Sequence, residues 1–198
     1  MSHVRAVADP LTMADVPDDW RGAPLILLAP VLDEVDPMIA TLFTDGAVGA
    51  AAQGWLRHTA ADGLVVPRVW RSPERLLQSV QALFLSREDI RDQESEVVEW
   101  FQRMPVGVLT ADRDGALLFV NGERYEIHPR AAREVDPTGA GDVFAATFLV
   151  QYQRDGDPWQ AAVAAACAGS LAVEGEGWST VADRATLDAA LAEYQRTQ

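Results

Sequence analysis

The residues best placed to do chemistry lie in Asp136-Pro137-Thr138-Gly139-Ala140-Gly141-Asp142. Pro137 fixes its own φ and biases Asp136 toward an extended backbone. Gly139 and Gly141 permit angles that a Cβ would forbid. An amphipathic stretch follows, with Phe144, Phe148, Leu149 and Tyr152 at helical spacing. A glycine turn feeding a helix start directs free N–H groups at one point, with the positive end of the helix dipole behind them. That is an anion site. Asp142 stands beside it as a carboxylate. One chemistry needs both parts: a hydroxyl loses its proton to Asp142 while a phosphoryl group moves past, cradled by Gly139, Ala140, Gly141 and Asp142. The plainer reading also stands, in which Asp142 caps a helix and the glycines only make a turn. A nicotinamide fingerprint is disfavoured, because Gly139-x-Gly141-x-x-Phe144 lacks the third small residue and lies late in the chain.

The elements that must position this turn can be read in order. Residues 1–22 are irregular, and an α/β domain is expected over 23–198. Leu25–Ala29 reads as a strand buried on both faces, Asp36-Pro37 as the start of a helix carrying Ile39, Leu42 and Phe43, and Ala47–Ala50 as a second strand. Residues 51–70 read as irregular, and Arg57, His58, Arg68 and Arg71 as a solvated basic face. Ser72-Pro73 opens a helix with Leu76, Leu77 and Val80 inward. Ala82–Leu85 is a third strand, and Val106–Thr110 a fourth after a helix carrying Val97, Phe101 and Met104. Asn121-Gly122 between two apolar runs predicts a hairpin, so a mostly parallel sheet becomes mixed at one edge. Asp157-Pro158 restarts the chain as a helix with Trp159, Ala162, Val163, Ala166, Cys167 and Ser170 on one side. A last helix follows Asp183. Ser86-Arg87-Glu88-Asp89 matches a capping box.

Bulk properties narrow the function classes. The 198 residues are 48% hydrophobic, enough for one well-packed domain. A net charge of −14 disfavours nucleic acid and anionic membranes as partners. No apolar run reaches the length of a membrane span. The one cysteine, Cys167, fits a reducing, cytoplasmic setting and reads as core. All 16 basic residues are arginine. A Walker A loop or a protein-kinase strand lysine is therefore excluded, since each needs an ammonium on the phosphates.

The Asp136–Asp142 run resembles the C-terminal signature of the PfkB/ribokinase family of sugar and nucleoside kinases. The resemblance implies a ribokinase-like three-layer α/β/α sandwich and ATP-dependent phosphoryl transfer to a small sugar or nucleoside. Gly139-Ala140-Gly141-Asp142 would form the anion hole and Asp142 the base. Thr138, Thr110 and Asp136 would lie on the nucleotide side. Where the family carries Asn-x-x-Glu to place Mg²⁺, this chain has Ser86-x-x-Asp89 with Glu88 alongside, so Glu88 or Asp89 would seat the metal. The family's Thr-x-Gly appears as Thr110-Ala111-Asp112, with a carboxylate in place of glycine. The small residues after Asp157 would either pack closely or leave room for an adenine ring. Gln53–Arg57 is similar to a segment of some members, with no role attached.

The resemblance covers about residues 23–182 and the later part of the family's chain. The opening strands, lid sheet and sugar-gripping acid are not matched. Three expectations follow: a truncated reading frame, a second chain or copy (a homodimer) covering an open sheet edge, or a nucleotide-binding or assembly module without sugar kinase activity.

Overall fold

The computed structural model describes residues 3–71, 73–90 and 93–197. Eight strands and five α-helices occur among them: β1 (Leu25–Leu28), β2 (Ala47–Ala51), β3 (Arg57–Thr59), β4 (Val65–Pro67), α1 (Glu74–Leu77), β5 (Ala82–Ser86), α2 (Glu94–Phe101), β6 (Val106–Thr110), β7 (Ala116–Val120), β8 (Glu123–Ile127), α3 (Ala140–Asp155), α4 (Pro158–Ala172) and α5 (Arg184–Thr197). Six strands form one sheet in the order β1-β2-β5-β6-β7-β8. The first four are parallel and the last two antiparallel. The expected α/β architecture with a mixed edge is what forms. Asn121 and Gly122 both take positive φ and close the β7–β8 hairpin in two residues.

Strand alternation separates two cores. Ala82, Phe84, Val106, Val108 and Leu118 face α3 and α4. Leu83, Leu85, Leu109 and Phe119 face the opposite layer, with Trp55, Trp70 and Phe101. α5 lies outside α4, burying Val163, Cys167, Leu187 and Tyr194 between them. Burial pushes the Cys167 thiol up to about 11, so it is a packing residue and a poor nucleophile.

Several expectations need correction. β1 is half-buried and lies at the sheet edge, because an apolar run looks alike in a central strand and in an edge strand covered on one side. The helix after Asp36 is a six-residue 3-10 helix, Pro37–Leu42, too short a connection to settle into α geometry. Asp36 does cap it, accepting from the Met38 N–H at 2.9 Å. Pro73 precedes a single turn, α1; Ser72 lies outside the described residues. Residues 51–70 are ordered as a 3-10 turn (Ala52–Leu56) and the antiparallel β3–β4 ribbon. That ribbon turns two arginines into ion pairs, Arg57 with Asp89 and Arg68 with Asp33, so they do not form a solvated face. Among the described residues Ser86 leads into a turn and not a helix: Ser86 Oγ accepts from the Glu88 N–H at 3.2 Å, and the next described helix begins at Glu94.

Candidate active site

α3 delivers the glycine turn to the sheet. Its Gln153 Nε2 donates to the carbonyl of Pro24, just before β1, at 2.9 Å. Leu149 covers Gly49 in the middle of β2, where a Cβ would stand 2.5 Å from it. Phe148 and Phe144 pack edge-on against Phe84 of β5, with centroids 5.3 and 6.3 Å away. The helix therefore runs antiparallel to the strands. Asp142 lies eleven residues, about 16 Å, above Gln153, at the carboxyl edge of the parallel strands. Open α/β sheets bind ligands at that edge.

The turn is preformed and open. Gly139 has φ +82° and ψ −2°, a left-handed conformation favouring glycine, and it is the N-cap of α3, three residues before Asp142. A Cβ on Gly139 or Gly141 would meet nothing within 4 Å. The Ala140 N–H is used within the turn, donating to the Pro137 carbonyl at 3.2 Å. The N–H groups of Gly139, Gly141 and Asp142 have no acceptor among the described residues. Three donors thus face solvent at the positive end of a sixteen-residue helix.

Asp142 lies at the surface with protein on its inner side. This partial loss of hydration raises its carboxyl above the ordinary aspartate range, against the helix dipole, which would lower it. Its carboxylate has no hydrogen bond or ion pair among the described residues. A base next to open donors and free of competing partners can accept a proton from a hydroxyl brought to the turn.

Asp136 fixes the turn from behind. Its Oδ1 accepts from the Thr138 N–H at 3.0 Å and its Oδ2 from the Gly177 N–H at 3.1 Å. The hydrogen bonds from Thr138, first, and then Gly177 hold its carboxyl below the usual range. The N–H groups of Val135 and Asp136 both donate to the Val173 carbonyl just past α4, at 2.7 and 3.1 Å. Both oxygens of Asp136 are thus engaged in shaping the turn. The Gly177 contact spans 41 residues, and nothing in the local sequence signals it.

The remaining candidates gather at the carboxyl ends of β5 and β6, along the same sheet edge. Thr110 pairs with Ser86 in register, and its Oγ1 donates to the Leu85 carbonyl at 3.3 Å, so the hydroxyl is turned toward the sheet. Asp112 takes φ +48°. Glu88 is exposed. The Asp89 side chain is only 5% exposed: Arg57 Nη2 donates to its Oδ1 at 2.8 Å and Gln53 Nε2 to its Oδ2 at 3.2 Å. This supplies the role missing for Gln53–Arg57, which clasps Asp89. Among the described residues no three His, Cys, Asp or Glu side chains converge as a metal cage. A Mg²⁺ that keeps most of its waters needs only one or two carboxylates, and Glu88 is the exposed one here. A shallow cleft opens beside Thr110, lined by Arg87, Ala111, Asp114, Glu126 and His128 rather than by the glycine turn.

Most of α4 is closed by packing, and only Gly169, Ser170 and Leu171 in its last turns are half-buried. Residues 161–168 are all buried, between the sheet, α3 and α5. Trp159 instead stands outside, 41% exposed, edge-on to Tyr125 at 6.0 Å.

Comparison with known proteins adds to this geometry. The family model for pfkB family carbohydrate kinases matches residues 45–184. An inositol 3-kinase of Zea mays is 31% identical over 156 residues, 75% of this chain and 38% of that protein. A nucleoside kinase of Methanocaldococcus jannaschii is 26% identical over 117 residues, 55% of this chain and 39% of that protein. The chain therefore spans less than half the length of these relatives. Among solved structures, a pyrophosphate-dependent myo-inositol-1 kinase converted into a myo-inositol-3 kinase shares the fold at TM-score 0.80 and 20% identity, over 98% of this chain and 70% of that one. The crystal structure of the M. jannaschii nucleoside kinase gives 0.68 at 19% identity, over 86% and 56%. No helix among the described residues is long and apolar enough to cross a membrane.

Proposed function

The chain belongs to the pfkB family of carbohydrate kinases, and from that premise we propose that its glycine turn carries an in-line phosphoryl transfer from ATP to a hydroxyl of a small sugar, nucleoside or cyclitol. The supporting observation is the pairing of an unpartnered Asp142 carboxylate with the open N–H groups of Gly139, Gly141 and Asp142. Asp142 takes the proton of the acceptor hydroxyl as its oxygen bonds to the donor's terminal phosphorus, and the bond from that phosphorus to the leaving oxygen breaks. The three amides hold the charge on the transferring group. Asp136 keeps them aimed by tying Thr138 to Gly177. Glu88 would hold Mg²⁺ through water, and the ion, when bound, would neutralise negative charge on the donor. Asp89, committed to Arg57, acts by positioning the Ser86–Asp89 turn.

Asp142→Asn tests this. A positioned base contributes about 10²–10⁴-fold, so acceptor-dependent release of ADP falls by that factor while Mg-ADP affinity is kept. Turnover equal to the parent would remove Asp142 from the mechanism. A pyrophosphate donor is the second reading. The closed packing of residues 161–168 in α4, which leaves no slot for a nucleobase there, favours it. Acceptor-dependent phosphate release from pyrophosphate, with no acceptor-dependent ADP release from ATP, would select it.

A further inference from the structure

The loop after α4 carries a side chain that neither the core nor the proposed mechanism uses. Trp178 is 88% exposed, although its backbone is firmly held. The Trp178 carbonyl accepts from the Val181 N–H at 3.1 Å, and the Ser179 N–H and Oγ both donate to the Glu176 carbonyl, at 3.2 and 2.8 Å. Thr180 Oγ1 donates to the Ala172 carbonyl at 2.9 Å. The Gly177 N–H, one residue away, rests on the same Asp136 carboxylate that shapes the glycine turn. Trp178 is thus a large apolar ring, held out into water by a stiff loop and one residue from Gly177, whose N–H rests on the carboxylate behind the phosphate cradle.

Such exposure loses the burial that usually places a tryptophan, and it leaves a π face open on which a base can stack. Of the two donors weighed for the turn, a nucleotide has an aromatic face and pyrophosphate has none. The nucleotide's base finds no slot over residues 161–168 of α4, whose small side chains are consumed by packing. We propose that Trp178 is the platform on which the base of a nucleotide donor stacks, outside the fold, while its phosphates lie on the Gly139–Asp142 amides. This rests on the nucleotide form of the function proposed above. It makes Trp178 a donor-specificity residue, tolerant of base identity because every base has a π face.

The test uses the full chain as parent, Trp178→Ala and Trp178→Phe, titrated with Mg-ADP and, separately, with Mg-pyrophosphate. Stacking predicts that Trp178→Ala weakens Mg-ADP roughly ten- to hundred-fold, that Trp178→Phe stays within a few-fold, and that pyrophosphate binds all three alike. Quenching of tryptophan emission by ADP should vanish in both variants, since the other five tryptophans lie elsewhere. Unchanged Mg-ADP affinity in Trp178→Ala overturns the proposal and leaves the ring as a contact for a macromolecule. Equal weakening of pyrophosphate also overturns it, since the loop would then be shaping the turn rather than holding a base. If the parent binds neither ligand, the phosphate reading of the turn fails first.

Discussion

Gly141→Ala separates the needs of folding from those of chemistry at a single atom. Gly141 is the second residue of α3 and has an ordinary helical φ, and its missing Cβ would meet nothing within 4 Å. For the fold, the substitution replaces the most flexible residue in a helix with the best helix former. It should stabilise by up to about 0.5–1 kcal/mol, a rise of roughly 1–4 °C in Tm for a chain of this length. For the site, the added methyl fills the open space in front of the amides, where a phosphoryl group would sit. Displacing a reacting group by about 1 Å costs on the order of 10²-fold. Gly139→Ala is the control. At φ +82° an alanine is strained by about 1–2 kcal/mol, so stability and activity fall together there. Differential scanning fluorimetry and steady-state kinetics on the two variants suffice. A Gly141→Ala protein that is stabilised and still turns over at the parent rate would refute the cradle, because nothing else in the structure fills that space.

Three further expectations follow from the same contacts. The acid limb of kcat/KM should fall with an apparent pKa above the ordinary aspartate value, since Asp142 must be ionised and burial raises its carboxyl; an acid limb at or below the ordinary value would count against Asp142 as the base. Because that raised pKa makes the native state bind the proton more tightly, the carboxyl's contribution to stability is full below the unfolded-state pKa and is lost as pH rises through the folded one. Asp142→Asn, which stays neutral, should therefore melt no lower than the parent at pH 7 while losing turnover, and a clear drop in Tm would show the carboxylate to be structural. Arg57→Ala strands the Asp89 carboxylate, 5% exposed, with Gln53 as its remaining partner among the described residues. Breaking a buried pair costs about 3–5 kcal/mol, discounted here to roughly 1–3 because Arg57 is one-third exposed; chemical denaturation should show that loss, and a smaller one when Asp89→Asn is combined with it.

Local rules made much of the molecule legible from its residues. Short apolar runs, Asn121-Gly122, Asp157-Pro158 and the Asp136–Asp142 run announced the strands, the hairpin, the start of α4 and the turn, because each depends on the backbone preferences of a few neighbours. What lay beyond reach depended on partners distant in the chain. Asp89 reads as a capping or metal-seating carboxylate until Arg57 and Gln53 are folded onto it from 32 and 36 residues away. Asp136 reads as a ligand group until the Gly177 N–H arrives to occupy its second oxygen. The alanines of α4 read equally as a slot or as packing until α3, α5 and the sheet close on them. The chemical identity of the turn was written in consecutive residues; its openness, the free state of Asp142 and the exposure of Trp178 are properties of surfaces that exist only once the layers have packed.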